Sequence, residues 1–429
     1  MYRFHPSIKW SEGYPTKDEI VTQIRQLWER YRLQDKTEFN HRVQKVYRDK
    51  QGRWIIDNPS HGRFDGIIAA IGSCGDAKMP TLPGQEKFKG QVCHSSQLDC
   101  VDGKGKKIVV VGGGASAVEA VEFAVKAGAE RISILSRSDK WIIPRNPFID
   151  ILLAFNIFGQ ETLLSWIPES ILRKFFYRDL KDIAPSEESG EGLFMSTPMV
   201  NSDILEQIRR GKAEWLRGDI EEVEKDGVQF NHRAQGVPKG GPGKQKLVEG
   251  DIIVMATGFK RPSLSFLPDE FFEEPYQPPN WYIQVFPPSD PTACGINSTY
   301  VNAIGTVGNY HIGIYTRLLL IYLIDPLTRP RENWTKRWIW MTRTLKRFSP
   351  TGAFDFFTYS ELIWWFCFTV AINPFRWKWA LFVFFGIGAE LPLKIVEKED
   401  EIREKLHQLE NERERKALQS NGHRSGKID

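Results

Sequence analysis

The chain has 429 residues, with 58 lysines and arginines against 54 aspartates and glutamates, so its formal net charge is only +4. So small an excess, with no basic stripe interleaved with aromatics, argues against nucleic acid as a partner. The five cysteines (Cys74, Cys93, Cys100, Cys294, Cys367) include no C-x-x-C pair, which argues for a reducing compartment and against a disulfide framework or a metal site. At this length two domains with appendages are expected.

In chain order, the opening residues carry no apolar signal-peptide core, so a location on the cytoplasmic side is expected. Lys17, Asp18 and Glu19 start a predicted helix whose Ile20, Ile24, Leu27 and Trp28 share a face. Residues 43–46 and 54–56, joined by a turn at Asp49 to Gly52, read as a hairpin. Ile67, Ile68, Ala69, Ala70 and Ile71 form a buried strand closed by Gly72, and Pro80, Pro83 and Gly84 mark an extended connector. After it stand Phe88, Gly90, Cys93, His94 and Ser95. His94 alone reads as a satisfied structural histidine. Cys93 and His94 are adjacent on an extended chain, point to opposite faces and form no nucleophilic pair.

The most informative stretch follows. Ile108, Val109, Val110 and Val111 run into Gly112, Gly113 and Gly114, and Ala115, Ser116 and Ala117 open an amphipathic helix with Val118, Val121, Ala124 and Val125 on one stripe. Strand, glycine turn and helix in that order make a dinucleotide fingerprint, in which the pyrophosphate rests on the N–H groups of the helix start. Gly112 permits the sharp turn, Gly114 lets backbone approach a phosphate, and Ala117 lets the helix lie close to the strand. Gly128 ends the helix, and residues 131–135 read as the next parallel strand. About 20 residues past the fingerprint, where an NAD site carries an acid, stands Arg137. A guanidinium there suits a 2′-phosphate, with Ser136 and Lys140 as helpers, so NADP(H) is the expected coenzyme. Asp139 is the competing residue, able to take a ribose hydroxyl if the strand runs two residues further.

Residues 145–200 read as a helical insertion, either with its own core or touching a membrane surface or substrate passage. Strand patterns resume near Val228 and lead to Met255; the glycine-rich loop from Gly236 to Gly243 is no P-loop, because Gln245 follows Lys244. Residues 261–291 are rich in Pro and aromatics and read as a packed irregular loop. Residues 300–305 read as a strand ending in Gly305, with a helix from about Ile312 to Ile324. Two apolar runs around Trp364 and Phe382, each nearer ten residues than the roughly 20 of a simple span, read as a membrane attachment or a buried hairpin. The tail from Lys394 reads as a charged helix.

Phe88, Gly90, His94 and Ser95 ahead of the fingerprint, and Ala256-Thr257-Gly258-Phe259 after a strand, resemble the flavin-containing monooxygenase (dimethylaniline monooxygenase-like) family over roughly residues 1–345. Leu98 stands where that family more often has an aromatic. The resemblance implies an α/β flavoprotein with two dinucleotide-binding domains. A Rossmann-like NADP domain (104–258) interrupts an FAD domain made of 1–103 and 259–345, followed by an apolar region (346–393) and a charged tail (394–429). It implies FAD beside NADP(H), with Gly72, Thr257, Gly258 and Gly305 at the cofactors and His94 and Ser95 as positioning residues. The implied reaction is NADPH-dependent transfer of one oxygen atom from O2 to a soft nitrogen or sulfur nucleophile or a ketone. No G-x-G-x-x-G precedes Lys106. By resemblance the first βαβ unit of the FAD domain is missing, and weak FAD retention is expected. The alternatives are a flavin-poor NADP-binding protein or another FAD/NAD(P)H oxidoreductase.

Overall fold

The computed structural model describes residues 16–144, 163–186, 203–299, 305–346 and 361–387, with separate positions between them and from 397 to 415. In chain order come α1 (Lys17–Arg30), β1 (Val46–Arg48), β2 (Trp54–Ile56), β3 (Ile67–Ala69), β4 (Gln91–His94), β5 (Lys107–Val111), α2 (Ala115–Ala127), β6 (Arg131–Ser136) and β7 (Ile142–Ile143). Then follow α3 (Trp166–Phe175), β8 (Met199–Val200), α4 (Ile204–Arg209), β9 (Ala213–Glu224), β10 (Gly227–His232), β11 (Lys244–Glu249), β12 (Ile252–Met255) and β13 (Ala293–Gly295). The last helices are α5 (Gly305–Ile324), α6 (Glu332–Lys346) and α7 (Trp377–Phe385).

Local chemistry explains the first elements. Thr16 and Glu19 form a reciprocal capping box that starts α1. The β1–β2 hairpin turns because the Asp49 carboxylate accepts the backbone N–H groups of Gln51 and Arg53.

The main sheet has seven strands in the order β11-β10-β9-β6-β5-β12-β4. From β4 to β9 the pairs are parallel, and β9, β10 and β11 close the far edge as an antiparallel meander. The central strands are apolar throughout because both faces are covered, and Val109, Val110, Ile253 and Val254 are fully buried. On one face Ala117, Ala120 and Ala124 let α2 lie close to the sheet.

β9 is the main departure from the sequence reading, which found strand patterns only from Val228. It begins at Ala213 and is rich in charge. Its first half is buried beside β6, whereas its second half twists out into the meander and alternates, so no single apolar run announces it.

The described part of the insertion joins the core of the main sheet. Leu172, Tyr177, Ala184, Leu193 and Phe194 pack with Trp141 and Ile142. The Tyr177 hydroxyl accepts the Ile142 N–H (2.6 Å) and donates to the Ile142 carbonyl (3.0 Å). Leu163, Trp166 and Phe175 are exposed, and residues 151–162 lie outside the described residues.

A two-stranded parallel sheet pairs β3 with β13. The residues read as a strand at 300–304 lie outside the described residues; α5 starts at Gly305, earlier than expected. The C-terminal apolar runs are half-packed. Leu362, Trp365, Val370 and Val383 are buried against Tyr315 and Leu318 of α5, while Ile363, Ile372, Trp377 and Phe385 face outward. Among the described residues no helix is long and apolar enough to cross a membrane.

Because Tyr177 satisfies both backbone groups of a buried strand residue, Tyr177→Phe leaves the Ile142 N–H and carbonyl without that partner. The expected cost is about 1–3 kcal/mol, read as a lower urea midpoint with unchanged far-ultraviolet circular dichroism before the transition.

Candidate dinucleotide-binding site

The parallel register sets Val111, Leu135 and Met255 side by side, so the chain segments that leave β5, β6 and β12 emerge at one edge of the sheet. The glycine turn after β5 follows from contacts there. Gly112 has φ +130°, and a Cβ would lie 2.3 Å from the Ala256 carbonyl oxygen. A Cβ on Gly113 would lie 2.2 Å from Ser136 Oγ. Gly114 differs: no atom lies within 4 Å of where its Cβ would be.

Gly114 is also the N-cap of α2, and no side chain caps that helix. The Ala117 and Val118 N–H groups turn back to the Gly114 carbonyl. Those of Ala115 and Ser116 find no acceptor among the described residues, and the first turn contains no acid. Unsatisfied N–H groups at the positive end of a helix, beside open space a Cβ would fill, fit an anionic pyrophosphate.

The end of β6 places Arg137 and Asp139 differently. Asp139 is turned inward, buried and ion-paired with buried Arg217 of β9. Arg137 is exposed, and among the described residues its guanidinium has no partner. Buried Arg233, which follows β10, pairs with Asp219 (2.8 Å) and donates to the Arg137 carbonyl (2.6 Å), which holds the backbone of that loop. Ser136 is buried, and its hydroxyl donates to the Ser138 carbonyl (2.8 Å), which shapes the loop. Lys140 is half-buried.

The sequence reading missed Arg217 and Arg233. No local pattern marks them, because their partners come from strands brought together only by the sheet.

At β4 and β12 the site meets the connections to the small sheet. Gly75 N–H donates to the Lys260 carbonyl (2.9 Å), Lys78 N–H to the Gly258 carbonyl (2.9 Å), and Lys260 N–H to the Asp76 carbonyl (2.7 Å). The Thr257 hydroxyl donates to the Lys78 carbonyl. Buried His94 joins them: its Nδ1 accepts the Ser96 N–H (3.2 Å), which leaves the proton on Nε2 to donate to the Gly258 carbonyl (3.0 Å). The His94 ring also meets Phe259 edge-on at 4.9 Å. With both nitrogens engaged, His94 holds the junction; Ser95 beside it is half-buried. Gly72, which follows β3, has φ +73° and open space at its Cβ position. The Gly305 backbone opens α5.

Two alanine substitutions separate fold from binding. Gly112→Ala forces a side chain onto a left-handed backbone and against the Ala256 carbonyl, and should destabilise the protein by at least about 2 kcal/mol. Gly114→Ala meets free space on an extended backbone, so stability should hold or rise by about 0.4–1 kcal/mol, while affinity for a pyrophosphate-bearing coenzyme falls at least about tenfold. Thermal melting and calorimetric titration read the two effects.

Residues 2–149 match the model of the pyridine nucleotide-disulphide oxidoreductase family. Similar curated proteins include a Baeyer-Villiger monooxygenase of Pseudomonas aeruginosa, 30% identical over 148 residues, which are 34% of this chain and 28% of that protein. They also include the FAD-binding monooxygenase ktnD of Aspergillus niger, 29% identical over 182 residues (39% of this chain, 29% of that one). The probable FAD-binding monooxygenase AlmA of Acinetobacter baylyi is 26% identical over 279 residues (56% and 53%). The matches thus span from under a third to about half the length of these relatives. Among solved structures, open cyclohexanone monooxygenase aligns over 86% of each chain with a TM-score of 0.58 and 16% identity. Oxidized steroid monooxygenase bound to NADP aligns over 86% of this chain and 87% of that one, with a TM-score of 0.57 and 16% identity. The chain is similar to flavin-dependent monooxygenases, and its fold is theirs: an α/β architecture with a Rossmann-like sheet, consistent with two dinucleotide-binding domains.

Proposed function

We propose that the edge of the main sheet binds NADP(H) and that the chain, with FAD, serves an NADPH-dependent monooxygenation. The observation that carries the coenzyme choice is the inward turn of Asp139 onto Arg217, which leaves Arg137 as the side chain offered at the end of β6. The Ala115 and Ser116 N–H groups would hold the pyrophosphate. Arg137 would meet the 2′-phosphate, with Lys140 nearby as a second cation. His94 and Thr257 would position rather than catalyse, by fixing the Gly258 carbonyl and the two connections it joins. Gly72 and the start of α5 at Gly305 would face the FAD. Bound FAD supplies the acceptance of hydride and the activation of O2, which no side chain can perform. The protein's own share is to bind, orient and keep water out.

The relatives' names support a ketone as the first substrate class to test. A soft sulfur or nitrogen nucleophile, as a dimethylaniline monooxygenase-like enzyme would use, is the second.

Arg137→Ala should weaken NADPH binding at least about tenfold, as expected for loss of a charged hydrogen bond worth about 1.5–3 kcal/mol, and leave NADH binding unchanged. An equal effect on both coenzymes, or none on either, would defeat the assignment. FAD binding is read by quenching of flavin fluorescence on titration. NADPH oxidation with FAD, O2 and either cyclohexanone or a thioether, followed by mass spectrometry, tests the reaction. Ester or sulfoxide supports monooxygenation, and peroxide alone or tight NADPH binding without turnover defeats it.

A further inference from the structure

Away from the dinucleotide site, four ionisable side chains converge where the connection after α1 meets the hairpin. His41 Nδ1 lies 3.1 Å from Glu38 Oε1, and His61 Nδ1 lies 3.1 Å from Glu38 Oε2. The two imidazole centroids are 4.9 Å apart, with the rings inclined at 54°. One ligand atom from each of Glu38, His41 and His61 lies within 4.8 Å of the other two. Around a tetrahedral ion with bonds of about 2.0–2.1 Å, neighbouring ligand atoms stand about 3.3 Å apart. The Glu38 contacts already have close to that spacing.

A fourth residue fixes the arrangement. Asp57 Oδ2 accepts from His41 Nε2 at 2.7 Å, and Asp57 Oδ1 accepts the Gln44 and Lys45 N–H groups, both at 2.8 Å. A carboxylate gripping one nitrogen of an imidazole orients the other toward a metal. Here it aims His41 Nδ1 at Glu38.

We propose that Glu38, His41 and His61 form a three-ligand site for a divalent transition metal such as Zn2+, with Asp57 as the outer carboxylate that orients His41. The ligands come from the connection after α1 and the turn before β3, so the ion would cross-link the two. Two imidazoles and one carboxylate suit borderline ions and disfavour Mg2+, which prefers oxygen ligands and keeps its waters. The Glu38 side chain is 59% exposed and that of His41 30%, so water can reach a fourth position.

The test uses the full chain, stripped with a chelator and with its thiols blocked by N-ethylmaleimide, titrated with ZnCl2 and separately with MgCl2. The expected result is one Zn2+ per chain and no Mg2+ uptake at the same concentrations. Glu38→Gln, which keeps size and polarity at an exposed position, and His61→Ala should each weaken Zn2+ by at least about 100-fold, and Asp57→Asn by about 10–100-fold. Circular dichroism of each metal-free variant checks its fold. Failure of the parent chain to bind Zn2+ below about 100 µM, or equal binding by Glu38→Gln and the parent, would overturn the proposal and leave the cluster a hydrogen-bond network only.

Discussion

The parallel register of β5 with β6 and β12 is the constraint on which the rest of the site depends. Parallel strands deliver all their C-terminal ends to one edge, where ligands of open α/β sheets bind. Here Val111, Leu135 and Met255 are in line, so one edge receives the glycine turn, the loop that carries Arg137 and the junction at Thr257 and Gly258. A shift of one residue in any pairing would break this alignment. The dense apolar runs of these strands, buried on both faces, secure the register by area and packing instead of by specific polar contacts.

Polar specificity is concentrated where apolar packing stops. Arg217 and Asp139 are both nearly inaccessible to solvent, and Arg233 is still more so. Buried ion pairs are weak sources of stability, because desolvation offsets most of their attraction, yet loss of one partner costs about 3–5 kcal/mol. Their value here is positional. Arg217 draws Asp139 inward, and Arg233 holds the Arg137 carbonyl, so these two arginines decide which neighbouring side chain points outward. This gives β9 and the residue after β10 a structural part at the end of β6, although they lie outside the fingerprint.

What was legible in the sequence was whatever is local. Strand, glycine turn and helix lie within about twenty residues, and Gly112 and Gly113 answer to contacts made there, so the turn could be placed to the residue. The hairpin at Asp49 was legible for the same reason. β9 was not, because its charged second half, paired with β10 in the meander, hides the pattern of its buried first half. The partners of Arg217 and Arg233 were not, because sequence separation carries no sign of a cross-strand pair. The cluster of Glu38, His41, Asp57 and His61 escaped likewise: it exists only once the hairpin has brought residue 57 back beside residue 44.

The junction shows how one group can join the two sheets. The Gly258 carbonyl accepts from Lys78 N–H and from His94 Nε2, using both lone pairs. Lys78 belongs to the outgoing connection, His94 to the edge strand of the main sheet, and Gly258 to the return, so three segments meet at one oxygen. The positive φ of Gly258 presents that carbonyl with no side chain in the way. His94 can donate there only as the Nε2–H tautomer, which the Ser96 N–H enforces by occupying Nδ1. A histidine fixed in this way has both ring nitrogens engaged at the junction. Its place at the junction therefore points to geometry rather than to acid–base chemistry.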